Sequence, residues 1–162
     1  MCSAILLYGL ESHWLLKADR DKPDVFYVRC LRQIAKIAPS FTLRFSNKDV
    51  LSQLQAKQLS QQLIARQLVL FGKICVRDSD NLSRAVLLEG DGAVTPRTWG
   101  TARRVGRPCL RWSSCVHAIA VHICDHSKPK LRDLIYISGQ SAWKNHVYSQ
   151  LEAGAFPVNA PS

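Results

Sequence analysis

The chain has 162 residues, of which 47% are hydrophobic and 21% charged, so we expect a folded protein with a substantial core rather than a disordered one. Its 22 basic and 12 acidic side chains give a net charge of +10, which favours polyanionic partners, nucleic acid before an anionic membrane surface. Six cysteines without a CxxC pair, no secretory signal pattern and no apolar stretch near the roughly 20 residues of a membrane span exclude secreted and membrane-spanning classes. We therefore expect a soluble intracellular protein with no membrane partner.

The N-terminal half begins inside an apolar run, which we interpret as the start of a fragment, and its first long periodic segment is residues 24–38. Apolar side chains recur there at i, i+4, i+7 and i+11, and flanking prolines suit both ends of a helix. The opposite side carries a basic stripe that we predict to face solvent. The stripe consists of Arg29, Arg32 and Lys36.

Two further helices follow in chain order. Ser46 and Asp49 have the spacing of a capping box and predict a short helix over residues 47–54. Ser60 suits the N-cap of a longer helix over residues 60–77, whose apolar positions predict the core helix of the fold. Four aromatic residues fall at helical spacing and are predicted to lie in the core: Trp14, Tyr27, Phe71 and Trp143.

The C-terminal half contains shorter segments. Residues 82–89 predict a helix or a strand before the turn-forming Gly90-Asp91-Gly92. Helical spacing returns in residues 110–123 and 142–151, whereas residues 131–137 are apolar but of ambiguous type.

These segments predict a mainly α fold: a small bundle of amphipathic helices with an irregular arginine-rich connection and a C-terminal helical part. The expected divisions are a helical thumb-like region (1–88), the glycine- and arginine-rich connection (89–110), the C-terminal helical part (111–151) and a disordered tail (152–162).

The arginine-rich segment, residues 97–112, holds five arginines and no acidic residue. Arginine forks bind phosphates, and tryptophans can stack on unpaired bases, so RNA and DNA are the expected partners. We interpret Trp112 as an anchor for the following helix in preference to a stacking residue. The predicted nucleic-acid-binding residues are Arg97, Arg103, Arg104, Arg107, Arg111 and Trp112, with Arg66 and Lys73 on the outer side of the core helix. The alternative is a solvated basic linker without a binding role.

Three blocks of the sequence resemble one family when they are taken in order. They are LYGLE running from Leu7 to Trp14 and Lys17, the segment from Phe26 through RCLRQI, and GRP followed by Arg111-Trp112. This order is similar to the region C-terminal to the polymerase palm in non-LTR (LINE-type) retrotransposon reverse transcriptases. The likeness covers residues 5–116. At residues 67–73 only the aromatic and Gly72 agree with the family, and Cys109 and Leu110 replace positions that are often basic.

The resemblance implies a helical thumb and post-thumb region that holds template RNA and primer duplex against the palm of a parent polymerase. It also implies a location in the nucleus and cytoplasm if the parent element is active. The palm's Ala-Asp-Asp turn, which would hold Mg²⁺ for phosphoryl transfer, is not in this sequence, so we expect no enzymatic activity and no catalytic residue.

No cofactor and no metal site is predicted. Asp78 and Asp80 read as a surface turn, and the acids of residues 19–24 alternate with basic residues. The C-terminal cysteines and histidines lack zinc-knuckle spacing, which favours a helix with buried cysteines and half-exposed histidines. His122 and His126, four residues apart, would share a helix face and leave one weak candidate pair open.

Two hypotheses from other functional classes remain open beside nucleic-acid binding. A degenerate retroelement relic would bind polyanions through net charge alone. A helical protein-interaction scaffold would instead dimerise through its apolar faces, with little dependence on salt.

Overall fold

The computed structural model describes residues 2–38, 44–90, 94–97 and 111–156. Within these ranges the chain forms eight α-helices and a short 3₁₀ helix at Leu10–Ser12, with no strand, so the mainly α prediction is confirmed. No helix in the same ranges combines the length and apolar character that crossing a membrane requires. The helices are α1 (Cys2–Leu6), α2 (Lys17–Ile34), α3 (Asn47–Gln53), α4 (Leu59–Cys75), α5 (Leu82–Leu87), α6 (Trp112–Ile123), α7 (Lys128–Tyr136) and α8 (Gly139–Glu152).

Helix α4 is the centre of the fold and packs against α2, α6, α8 and the 3₁₀ helix. Because neighbours lie on several sides of it, apolar side chains are buried around most of its circumference. The main core cluster joins α4 to the three C-terminal helices; its larger members are Ile64, Leu68, Phe71, Val116, Ile119, Ile123, Leu131, Ile135, Trp143, Val147 and Leu151. The predicted core helix is therefore confirmed, and the two predicted helical parts share one core.

The four aromatic residues predicted for the core lie there. Phe71 and Trp143 are both about 1% exposed, and Trp14 and Tyr27 pack half-buried against the clusters. The indole N–H of Trp143 donates to the carbonyl of Leu68 over 2.8 Å. Its ring lies so close to Gly72 that a Cβ at that position would overlap the indole. Gly72 is therefore the residue that lets α8 approach α4.

Helix α2 differs from its prediction at both ends. It begins at Lys17 and contains Pro23, whereas the sequence reading used Pro23 to mark its start. It ends at Ile34, where Lys36 adopts a left-handed φ of 53° and the N–H of Ile37 donates to the carbonyl of Arg32 over 2.9 Å. Ile34, one of the residues of the predicted apolar pattern, is 73% exposed at this end of the helix.

The predicted solvent-facing stripe on this helix is wrong for Arg32. Its guanidinium is buried and donates to the carbonyls of Ala38 and Phe45 and to Oδ1 of Asn47. Arg32 therefore fastens the chain between α2 and α3 to the end of α2. Arg29 is exposed as predicted, and Lys36 is exposed beyond the end of the helix.

The capping box of α3 is confirmed. Ser46 Oγ accepts from the N–H of Asp49 over 3.2 Å, while the N–H of Ser46 donates to the Asp49 carboxylate over 2.9 Å. The predicted N-cap of α4 is wrong, because that helix already begins at Leu59 and Ser60 lies within its first turn. The N–H of Ser60 donates instead to Oδ1 of Asp24 over 2.8 Å, so a carboxylate of α2 satisfies a free N–H at the start of α4.

Both C-terminal segments of ambiguous type are helical in the structure. Residues 82–87 are helical, and α7 begins at Lys128, with Ser127 as its N-cap and Pro129 in its first turn. The disordered tail predicted from residue 152 is wrong for Phe156, whose side chain is buried in the main core cluster.

Candidate nucleic-acid interface

The arginine-rich segment connects two parts of the helical body. Residues 98–110, which include Arg103, Arg104 and Arg107, lie outside the described residues. The residues on either side, Arg97 and Arg111, are described and exposed. The structure therefore gives the two attachment points of the segment.

The first attachment point is at the end of α5. The N–H of Arg97 donates to the carbonyl of Leu87 and its guanidinium to the carbonyl of Ala85, over 3.0 and 2.8 Å. Next to the Leu87–Arg97 bond, Leu88 and Pro96 form an isolated antiparallel bridge. These bonds hold Arg97 against α5 and leave its side chain exposed.

The second attachment point is the start of α6. Arg111 is the exposed N-cap residue of this helix. Trp112 packs half-buried against the core, and its indole N–H donates to the carbonyl of Glu11 over 2.8 Å. Trp112 is thus an anchor, the role preferred from the sequence, and this bond joins the first of the three sequence blocks to the third.

The first block also contacts the central helix. The side-chain amide of Gln67 on α4 donates to the carbonyl of His13 over 2.6 Å. Because the carbonyls of Glu11 and His13 are two residues apart, they lie within about 7 Å of each other. The first block therefore connects the start of α6 to the middle of α4.

Arg66 and Lys73 lie on one side of α4, two helical turns apart, or about 10 Å along the axis. Lys73 is exposed and Arg66 is half-buried. Of the predicted binding residues that are described, Arg111 precedes a helix that the first block connects to α4, the helix that carries Arg66. Arg97 is held at α5 by its bonds to Leu87 and Ala85.

The outer face of α2 carries a group that the sequence reading missed. Phe26 is 51% exposed there, with Lys22 one turn before it and Arg29 one turn after it. An aromatic ring in solvent between two basic residues is a feature of surfaces that bind single-stranded nucleic acid. The signal in the sequence was the position of Phe26 outside the i, i+4 apolar pattern of this helix.

Arg20 is the other basic residue whose place was unforeseen. Its guanidinium is 5.1 Å from the ring centre of Trp14, and the side chain is 7% exposed. Its buried Nε makes no hydrogen bond within the described residues. Burial lowers the pKa of Arg20, which the nearby charges of Asp21 and Asp24 partly oppose. Arg20 lies inside the fold and is not part of a phosphate-binding surface.

Three cysteines, Cys75, Cys115 and Cys124, are buried, so their thiols are not accessible for chemistry. Burial raises the pKa of Cys75 to about 12 and that of Cys124 to about 11, and it raises the pKa of Cys115 as well. Burial, and then the charge of Lys128, lower the pKa of His117. Across the described ranges, no three or more His, Cys, Asp and Glu side chains are grouped so that they would hold a metal ion.

No protein-family model, curated protein or solved structure matches the chain. Within the structure, the first and third sequence blocks meet at the bond between Trp112 and Glu11.

Proposed function

We propose that the chain binds RNA or DNA, without sequence preference, through the arginine-rich segment of residues 97–112. The observation that carries this proposal is the attachment of both ends of the segment to the helical body, at Arg97 and at Trp112. A segment with fixed ends loses less conformational entropy when it binds a phosphate backbone than a free chain of the same composition does. Five arginines without an acidic residue supply the charge.

In this proposal the phosphate-binding surface extends from the segment onto the body. Arg111 is exposed at the N-cap of α6, which packs against α4, and α4 carries Arg66 with Lys73 two turns further along. A backbone that crosses the segment can therefore continue along the outer side of α4. Trp112 positions the segment and is not itself a stacking residue.

The parent protein we infer is a LINE-type retrotransposon reverse transcriptase, of which this chain is the thumb and post-thumb part. Its role there is to hold template RNA and primer duplex against the palm, which supplies the catalytic aspartates. This chain by itself has a binding function and no polymerase activity in this proposal.

Fluorescence anisotropy tests the proposal with a labelled single-stranded RNA, the matching DNA and their hybrid duplex, across roughly 50 to 300 mM salt. The test variant is Arg104→Ala with Arg107→Ala. The matched control is Arg132→Ala with Lys144→Ala, because these residues are exposed on α7 and α8 and the change removes the same charge. Arg32 is unsuitable as a control because it is a buried structural residue.

We expect the Arg104/Arg107 variant to bind about tenfold more weakly or worse, with the slope of log K against log salt reduced by roughly 2. The control should keep both the affinity and the slope within about twofold. Equal losses of affinity in the two variants would support the hypothesis of a degenerate relic that binds through net charge alone. Dimerisation that does not respond to salt, without nucleic-acid binding, would support the interaction scaffold.

A further inference from the structure

We propose that His122 and His126 form a solvent-open, two-histidine site for a borderline divalent transition-metal ion such as Zn²⁺ or Co²⁺. Both side chains are exposed, and Nδ1 of His122 lies 3.2 Å from Nε2 of His126. The ring centres are 4.9 Å apart and the ring planes are nearly perpendicular, at 80°. The two nitrogens therefore face each other at the surface of the protein.

The distance between the nitrogens fits coordination chemistry. With metal–nitrogen bonds of about 2.0 to 2.1 Å, two ligands of a tetrahedral ion are separated by about 3.3 Å. The observed 3.2 Å is close to this separation, so binding requires the rings to turn toward the ion and little change in the distance between the two nitrogens. Without an ion, a ring N–H of one histidine is directed at the facing nitrogen of the other. When an ion binds, that proton moves through solvent to the other nitrogen of the same ring, so that both facing nitrogens offer lone pairs to an ion beside the line that joins them.

The pair is held by the backbone beyond the end of the helix. Helix α6 ends at Ile123, so His126 is not on the helix face that its spacing from His122 predicted. Asp125 and His126 instead adopt consecutive left-handed conformations, with φ of 56° and 59°. The N–H of His126 donates to the carbonyl of Val121 over 2.9 Å. This bond turns the chain back along the helix, so that the ring of His126 lies beside that of His122.

This backbone geometry has a conformational cost. Left-handed residues other than glycine are uncommon, and two in succession persist only where the surrounding contacts hold them. Because the turn is already fixed, the two nitrogens do not have to be ordered when an ion binds. Preorganisation of this kind is what raises the affinity of a site with few ligands.

The neighbouring groups leave the remaining coordination positions to water. The Asp125 carboxylate accepts a hydrogen bond from Lys130, and Nε2 of His146 is bonded to the carbonyl of Ile123 over 3.1 Å. The Cys124 thiol is fully buried. Within the described ranges no third histidine, cysteine or carboxylate completes the site, so an ion held there stays accessible to an outside ligand.

Titration with Co²⁺, followed by calorimetry and visible absorption, tests the site in the full chain. The variants are His122→Ala and His126→Asn, since asparagine tolerates the left-handed conformation at residue 126. The control is His13→Ala, an exposed histidine near the 3₁₀ helix whose bond to Gln67 uses only the backbone. Circular dichroism checks that each variant keeps its helix content.

We expect the native chain to bind Co²⁺ without the charge-transfer absorption of a cobalt thiolate, because the ligands are imidazoles. Each test variant should lose affinity at least about tenfold, since one of two linked ligands is removed. The His13 variant should bind as the native chain does. The proposal is overturned by unchanged affinity in both test variants, by binding that is entirely thiolate in its spectrum, or by no Co²⁺ binding.

Discussion

Two arginines of α2 are buried to a similar extent but have different surroundings. Arg32 is 9% exposed and donates to three acceptors, whereas Arg20 is 7% exposed, stacks on Trp14 and has a buried Nε without a hydrogen-bond partner within the described ranges. A buried charge stabilises a fold only where its hydrogen bonds are satisfied. Although the two residues are similarly buried, we therefore expect Arg32 to stabilise the fold and Arg20 to contribute little or to destabilise it.

We expect Arg32→Met to lower the free energy of unfolding by about 2 to 4 kcal/mol, because it leaves the three acceptors without their donor. Arg20→Met keeps an apolar stem on Trp14 and removes a poorly satisfied charge, so it should cost less than about 1 kcal/mol or stabilise the protein. Urea unfolding of both variants measures the difference. Losses of equal size would contradict this account of the two sites.

Gly72 gives a second prediction for a single residue. Helix propensity alone predicts that Gly72→Ala stabilises α4 by about 1 kcal/mol. The new Cβ would overlap the indole of Trp143, which is buried and bonded to Leu68, so we expect destabilisation of about 1 to 3 kcal/mol instead. The double variant with Trp143→Phe should recover part of that loss, and a thermal-unfolding cycle measures the coupling. Additive effects would show that the two residues are not in contact.

At the scale of the element, the capping box of α3 predicts a dependence of stability on pH. The hydrogen bonds from Ser46 to the Asp49 carboxylate lower the pKa of Asp49 below its ordinary 3.8. Because the folded pKa is the lower one, this contribution is present above pH 3.8 and is lost as the pH falls through the folded value.

The comparison is between the native chain and Ser46→Ala, unfolded in urea from roughly pH 3 to 7. We expect the native chain to be more stable at neutral pH and the difference to shrink as the pH falls. Ser52→Ala, an exposed serine of the same helix, is the control and should show a constant difference across this range. A pH-independent difference for Ser46→Ala would exclude the carboxylate as the cause.

At the scale of the whole molecule, α4 carries the main core together with α6, α7 and α8. Residues 1–88 without the C-terminal helices would expose Leu68, Phe71 and the other buried residues on that side of α4. We therefore expect the full chain to unfold in one transition and the 1–88 fragment to lack fixed tertiary structure, as measured by near-ultraviolet circular dichroism. A fragment that unfolds cooperatively in urea would instead be an independent domain.

The positive charge of the chain is also organised at this scale. Some basic residues predicted from the sequence to face solvent lie at the surface, as Lys73 and Arg111 do, and others, such as Arg32, hold the fold together. The outer face of α2 around Phe26 was not predicted, because Phe26 is 51% exposed and lies outside the periodic apolar pattern of the helix. Periodicity identifies residues that face a core, and it says little about exposed residues.

The sequence by itself determined the helical class, the core helix, the capping box of α3 and the concentration of charge in residues 97–112. These features depend on spacing, composition and contacts within a few residues, all of which can be read locally. The tertiary structure decided the partners of Trp112, Gln67 and Gly72, because they lie far away in the chain: Glu11 is 101 residues from Trp112, and His13 is 54 residues from Gln67. It also decided how His122 meets His126, since a turn after the helix places the second ring, and no helical period encodes that turn.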